Sequence, residues 1–178
     1  MKNYANIMVI IMLLKPHIKL KRVTDISLKL LEKYNINSLI LDVDNTLSTH
    51  HGEILTDGLE DWLKLMQDNG IKLTVLSNSK ERRVKPFAEK IGLNFISLGL
   101  KPLPFGYIRA LKMAGSKRKN TAIVGDQIFT DILGGRLTGV KTILLTPIKL
   151  ESTRGFRFKR KLETYVYKLH KIKDLEEV

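Results

Sequence analysis

Apolar residues along this chain fall into two alternating patterns. Short continuous runs at Ser38–Leu41, Ile71–Leu76, Thr121–Val124 and Val140–Leu145 read as buried strands, and a weaker one lies near Asn94–Ser97. Between them the spacing is helical. Ile26, Leu30 and Leu31 follow a Thr24-Asp25 start signal. Leu59, Trp62, Leu63 and Met66 share one face of a helix that Asp57 can cap and Asn69-Gly70 can stop, with Trp62 expected in the core. Further helices are predicted over 80–90, from Pro104 to about Ala114, and from Ile128 to about Leu137 with Gly139 behind it. Gly134-Gly135 in the last of these predicts close packing of that helix. Strands alternating with single helices predict an α/β fold in three layers, with a parallel five-stranded central sheet.

The domain is expected to cover residues 12–178, with residues 1–11 as a poorly ordered N-terminal extension and Met12 as a plausible alternative start. The apolar run Ile7–Leu14 is too short for a transmembrane helix. Lys15-Pro16-His17 follows it where a signal peptide would have small residues, so no membrane-spanning or secretory segment is expected. The C-terminal stretch carries a basic amphipathic helix at about 156–172. Leu162, Tyr165, Val166, Leu169 and Ile172 share one face, expected to dock on the sheet. Arg157, Arg160, Lys161, Lys168 and Lys171 gather on the other, expected to face solvent or an anionic membrane surface.

Composition narrows the chemistry. The 178 residues include no cysteine, which excludes disulfide scaffolds, thiol catalysis and thiolate metal sites. The formal net charge of +13 favours an anionic partner. That excess sits at the ends: residues 1–35 hold seven Lys/Arg against two acids, and residues 154–178 hold eight against four.

In parallel sheets ligands bind beyond the carboxyl ends of the strands. Asp42 and Asp44, Ser77 and Asn78, Lys101, and Asp126 with Asp131 all sit at or just past such ends. Asp42 and Asp44, two residues apart, point to one side of an extended strand end, so one can attack an electrophile while the other handles a proton. Alone, such a segment is an ordinary turn. Asp126 and Asp131 with Asp42 can hold a hard cation such as Mg²⁺. Ser77-Asn78 at a helix start offers an anion site, or simply a helix cap. Lys101 adds a positive charge. Together these groups suit phosphoryl transfer. His50-His51 read as solvent-facing.

Four segments in order, Asp42-Val43-Asp44-Asn45-Thr46, Leu76-Ser77-Asn78, Lys101-Pro102 and Gly125-Asp126 with Asp131, resemble the motifs of the haloacid dehalogenase (HAD) superfamily of phosphatases. The resemblance implies a Rossmann-like fold and a Mg²⁺-dependent reaction through an aspartyl-phosphate. It implies Asp42 as nucleophile and Asp44 as general acid and base. Ser77 and Lys101 would bind phosphate, with Thr46 and Asn78 as further candidates. The metal would be held by Asp42, Asp126, Asp131 and the backbone carbonyl of Asp44.

Lys101-Pro102-Leu103-Pro104, Gly125-Asp126-Gln127, Asp131-Ile132-Leu133-Gly134-Gly135 and the tail Thr153-Arg154-Gly155-Phe156 with Arg160-Lys161-Leu162-Glu163 resemble the YqeG-type, subfamily IIIA branch. This branch is related to the mitochondrial phosphatidylglycerophosphate phosphatases. The 34 residues between Asp42 and Ser77 and the 23 between Ser77 and Lys101 are too few for a cap domain, which needs at least about 50. The expected substrate is a phosphate on something large, foremost the anionic phospholipid phosphatidylglycerophosphate, met in the cytoplasm or at the inner face of the membrane. The alternatives are a soluble phosphate metabolite, a phosphoprotein or a nucleic-acid end. A non-catalytic RNA- or ribosome-associated role is less favoured, because the Asp42, Asp44, Lys101 and Asp126 set is intact and the basic tail has no interleaved aromatic platform.

Overall fold

The structure is a computed structural model, and it describes residues 11–49, 54–149 and 154–172. The N-terminal extension up to residue 10, His50-His51, Thr153 and the side chains of Arg154, Phe156 and Arg157 lie outside what is described.

The six strands are β1 (Ile18–Leu20), β2 (Ser38–Leu41), β3 (Lys72–Leu76), β4 (Asn94–Ile96), β5 (Thr121–Gly125) and β6 (Lys141–Leu145). They form one parallel sheet in the order β1-β6-β5-β2-β3-β4. The helices are α1 (Leu28–Lys33), α2 (Leu59–Asp68), α3 (Glu81–Lys90), α4 (Pro104–Ala114), α5 (Leu133–Thr138) and α6 (Arg154–His170). Among the described residues no cap domain interrupts this alternation, and no helix is long and apolar enough to cross a membrane.

The three-layer Rossmann-like arrangement is as the sequence predicts, but the sheet has six strands rather than five. The extra strand, β1, has only three residues, with Lys19 at its centre. It pairs through Ile18 with Ile143 and through Leu20 with Leu145. Lys19 is buried and donates from Nζ to the Leu20 carbonyl (2.7 Å) and to Thr146 Oγ1 (2.6 Å), so its charge is solvated by protein oxygens.

Alternation along the strands divides the core. Leu39, Leu41, Val75 and Val124 face α1, α2 and α3, where Trp62 is buried and its indole N–H donates to the Ile26 carbonyl (2.9 Å). Ile40, Leu76 and Ile123 face α4, which contributes Tyr107, Ala110 and Leu111. Gly134 and Gly135 lie where a Cβ would strike the Tyr107 ring and the Ile123 side chain, so they permit close packing of α5.

Three local expectations change. Helix α1 begins at Leu28, capped by Ser27 Oγ accepting from Leu30 N (3.1 Å), while Val23–Asp25 form a separate turn of 3₁₀ helix. The left-handed residue before α2 is Gly58 (φ 72°), so Asp57 lies one place outside that cap. The predicted helix over 128–137 is a π-turn at Ile128–Ile132 followed by α5.

The C-terminal helix corrects the expected orientation. Val166 is buried, but Leu162, Tyr165 and Leu169 are exposed, and Arg160 and Glu163 turn inward. The reason is electrostatic. The buried Asp126 carboxylate at the sheet's end recruits the Arg160 cation, and leaving it unpaired costs more than exposing part of a few apolar side chains.

Candidate active site

Strands β2 and β5 are neighbours, yet the chain leaves β2 towards β3 and β4 and returns to β5 on its other side. This reversal makes a topological switch point, with a crevice at the carboxyl ends of the two strands. Asp42 and Asp126 follow those ends directly, and Asp42 N continues the ladder by donating to the Val124 carbonyl (2.9 Å).

The loop after Asp42 is wound tightly. The amides of Thr46, Leu47 and Ser48 all donate to the Val43 carbonyl, at 3.3, 3.0 and 3.2 Å, and Asn45 takes a left-handed φ of 59°. Asp44 leaves this turn beside α3, where the Arg83 guanidinium donates to its Oδ1 and also to Ser79 Oγ (2.9 Å).

Lys101 reaches inward from the loop after β4. Its Nζ lies 2.6 Å from Asp42 Oδ1 and 2.6 Å from Asp131 Oδ1, with all three side chains buried. Asn78 uses both ends of its amide to hold this lysine. Its Oδ1 accepts from Lys101 N (2.7 Å), and its Nδ2 donates to the Lys101 carbonyl (3.1 Å). The Lys101–Pro102 peptide is cis. The buried Ser77 hydroxyl accepts from Ser79 N (3.1 Å). Thr46 Oγ1 is buried with no hydrogen-bond partner and borders a cavity of about 460 Å³ shared with Lys21, Thr56 and Thr146.

The π-turn brings Asp131 back against β5. Asp131 Oδ2 accepts from Gln127 N (3.1 Å), and Gly125 lies so close to this carboxylate that a Cβ there would collide with it. Helix α6 closes this side. Arg160 donates to the Asp126 carbonyl (2.8 Å), to the Asp126 carboxylate and to Glu163 Oε2 (2.7 Å), while Glu163 Oε1 accepts from Ile128 N (2.8 Å). One pair of side chains from α6 therefore fixes both Asp126 and the start of the turn that carries Asp131.

Burial dominates the electrostatics. It pushes the Asp42 carboxyl up to about 7, against the pull of Lys101 and with Asp131 and Asp44 adding repulsion. It pushes Asp126 up to about 8, with Arg160 opposing and Asp42 and Asp131 reinforcing. Burial also works against the Lys101 charge, but Asp131 and Asp42 outweigh it and hold the ammonium well above the ordinary lysine range.

Asp42, Asp126 and Asp131 each offer a carboxylate oxygen within 4.8 Å of the others. Asp126 Oδ1 is buried with no hydrogen-bond partner. With Glu163, four buried carboxylates face two cations, Lys101 and Arg160, and a divalent cation would restore the balance. An all-oxygen donor set of this kind suits a hard divalent ion. The Asp44 carboxylate is outside this cluster.

A family model for haloacid dehalogenase-like hydrolases matches residues 21–139. The chain belongs to the haloacid dehalogenase-like hydrolases. Over 145 residues it is 38% identical to a Bacillus subtilis protein named probable phosphatase YqeG, covering 80% of this chain and 83% of that protein. It is also 27% identical over 117 residues to a Pseudomonas putida probable phosphoglycolate phosphatase, covering 61% of this chain and 46% of that protein. Among solved structures, NagD from E. coli shares the fold with a TM-score of 0.53 at 16% identity, covering 67% of this chain and 93% of that one. The chain is thus a HAD-type phosphatase, similar to YqeG, with a buried aspartate triad suited to a divalent metal.

Arg83, Arg160 and Glu163 join the site although their sequence positions do not announce them there. Arg160 and Glu163 lie within the tail motif, but a helical wheel places Arg160 on the outer basic face. Arg83 carries no signal in a stretch already rich in Lys and Arg.

Proposed function

We propose that the protein is a Mg²⁺-dependent phosphomonoesterase acting through an aspartyl-phosphate on Asp42, with phosphatidylglycerophosphate as substrate. The observation that carries the reaction is the Asp42–Lys101–Asp131 cluster, buried at the switch point beside Asp126.

Asp42 attacks phosphorus, and the bond to the ester oxygen breaks. Asp44 gives its proton to that leaving oxygen. Asp44 then takes a proton from water as the water attacks the phosphorus of the aspartyl-phosphate, which releases inorganic phosphate and regenerates the Asp42 carboxylate. Lys101 neutralises phosphoryl oxygens and favours the ionised form of Asp42 that attacks. Asn78 positions Lys101 through its main chain, and Ser77 would offer its hydroxyl to the phosphate, with Thr46, on the cavity beside Lys21, as a further candidate. Asp42, Asp126 and Asp131, with the Asp44 carbonyl, would hold Mg²⁺, which when bound supplies charge neutralisation and orientation of the phosphoryl group.

The lipid assignment is supported by the resemblance to the YqeG-type branch over about Met12 to Leu169, by the basic surface and by the absence of a cap domain among the described residues. The protein would work in the cytoplasm and peripherally at the inner membrane face. The test is phosphate release from phosphatidylglycerophosphate in mixed micelles, beside Asp42→Asn and with p-nitrophenyl phosphate as a soluble control. Lipid turnover lost in the variant and on chelation is expected. Turnover of the soluble ester alone would keep the chemistry and overturn the substrate. Turnover of neither, with salt-dependent RNA binding that survives Asp42→Asn, would favour the non-catalytic role.

A further inference from the structure

The loop that delivers Lys101 turns apolar side chains outward. Leu98, Leu100, Leu103 and Phe105 are 53%, 57%, 49% and 60% exposed, and Ile108 on the next turn of α4 is 44% exposed. Leu98 and Leu100 have left-handed backbones, φ 45° and 54°, a region unfavourable for a branched, bulky residue. Strain of this kind persists where surrounding structure enforces it, and it gathers at functional segments.

Here the enforcement is visible. Gly99 is buried between the two leucines, where a Cβ would meet Leu76 Cδ1 at 2.7 Å and Ser77 O at 3.1 Å, and Gly106 of α4 packs against its backbone. Leu98 N donates to the Ser79 carbonyl (3.0 Å), Gly99 N to the Ser77 carbonyl (2.9 Å) and Leu103 N to the Leu100 carbonyl (2.8 Å). Arg109 ties the Ser97 and Leu98 carbonyls from outside, at 3.3 and 3.1 Å. With Gly99 pinned inward, its two neighbours are held outward. The result is a braced apolar rim on the loop that carries Lys101, with Leu100 its neighbour in sequence.

We propose that this rim, Leu98 to Phe105, seats the open site on an anionic lipid bilayer. Charge selects that occupant. Between residues 80 and 112, apart from Arg83 and Lys101, which pair with aspartates of the site, six Lys/Arg are exposed against two exposed acids, Glu81 and Glu89. Apolar side chains flanked by cations fit an interface of acyl chains beneath anionic headgroups. A second copy of this chain, also at +13, would bring like charge to like. On the other side of the aspartate triad, α6 repeats the pattern, with exposed Leu162, Tyr165 and Leu169 beside Lys161 and Lys168. Docking deepens the lipid reading and rests on it: the rim would bring the site to a phosphate at the bilayer surface.

The experiment is vesicle flotation of the full chain with phosphatidylcholine vesicles, with and without phosphatidylserine, which carries no phosphomonoester and so does not engage the site as substrate. The variant is Leu98→Asn/Leu100→Asn/Phe105→Ser. Asparagine tolerates the left-handed backbone, so apolar surface is removed without opposing the fold. Wild type is expected to float with phosphatidylserine vesicles, less so at high salt, and the variant to partition about tenfold less or weaker. Its hydrolysis of p-nitrophenyl phosphate should be unchanged.

Equal flotation of variant and wild type would overturn the rim, as would binding lost only on Leu162→Gln/Leu169→Gln. Wild type that does not float also overturns it. Capture of another protein by the rim, with no flotation, would reassign the surface. Flotation as expected without phosphatidylglycerophosphate hydrolysis would sustain docking while the substrate reading fails. Micellar hydrolysis without flotation would do the reverse.

Discussion

Replacing Arg160 by Met keeps the length and apolar stem of the side chain and removes its charge. In the wild type the guanidinium satisfies the Asp126 carbonyl, the Asp126 carboxylate and Glu163, with its own side chain only 16% exposed and both acids buried. The substitution leaves those acids without a cation. Breaking a buried pair in this way costs about 3–5 kcal/mol when both partners are charged.

Protonation limits the loss. Asp126 already lies near 8, and without Arg160 it moves higher. Below that range Asp126 holds a proton in both proteins, and what is lost is chiefly the charged hydrogen bonding to Glu163 and the carbonyl, worth about 2 kcal/mol. Above it the wild-type carboxylate is ionised and paired, and the variant must either ionise unpaired or retain its proton. The destabilisation of metal-free protein should therefore grow from about 2 kcal/mol at a pH near 6 to about 3–5 near 9. Urea unfolding followed by circular dichroism measures both. A loss of similar size at the two pH values, or below about 1 kcal/mol at the higher one, would refute the claim that Arg160 is the counter-ion of Asp126.

Asp42 and Asp126 both have folded-state pKa values raised above 3.8, to about 7 and about 8, so the folded chain retains protons that the unfolded chain has released. The contribution of these two groups to the stability of metal-free protein should be fully present below their unfolded range and be lost as pH rises through 7 to 8. The gain in Tm from saturating Mg²⁺ should be larger at the upper end, as differential scanning fluorimetry will show. Asn78→Ala removes two hydrogen bonds to the Lys101 main chain and should lower kcat about tenfold or more while global stability falls by only about 1–2 kcal/mol, in steady-state kinetics beside urea unfolding. Leu98→Asn and Leu100→Asn should each leave thermal stability unchanged or raise it by up to about 1 kcal/mol, because backbone strain is relieved. Gly134→Ala should destabilise by about 1–3 kcal/mol through the Tyr107 ring, measured in the same unfolding assay.

The central strands and the candidate residues were readable because both follow local rules. Each buried strand is a continuous apolar run, and each polar cluster stands where such a run ends. That is why Asp42, Lys101, Asp126 and Asp131 are legible as a group in the sequence alone. β1 escaped because three residues with a lysine at the centre carry no apolar run, and burial of that lysine depends on the neighbouring Leu20 carbonyl and on Thr146 Oγ1, 127 residues away. The orientation of α6 escaped because a helical wheel scores apolarity, whereas the helix is turned by Arg160 answering Asp126, 34 residues away, and by Glu163 accepting from the Ile128 amide, 35 residues away. The Asn78 clamp spans 23 residues of sequence, and the outward leucines are a backbone property, so neither leaves a trace in spacing.

The most direct test of the account is to trap the covalent intermediate. Wild-type protein with Mg²⁺ and a phosphate ester would be acid-quenched within the first turnover and the phosphorylated peptide mapped by mass spectrometry. The account predicts phosphate on Asp42, absent from Asp42→Asn and from chelated protein. Phosphate on another residue, or steady hydrolysis by Asp42→Asn at the wild-type rate, would contradict it.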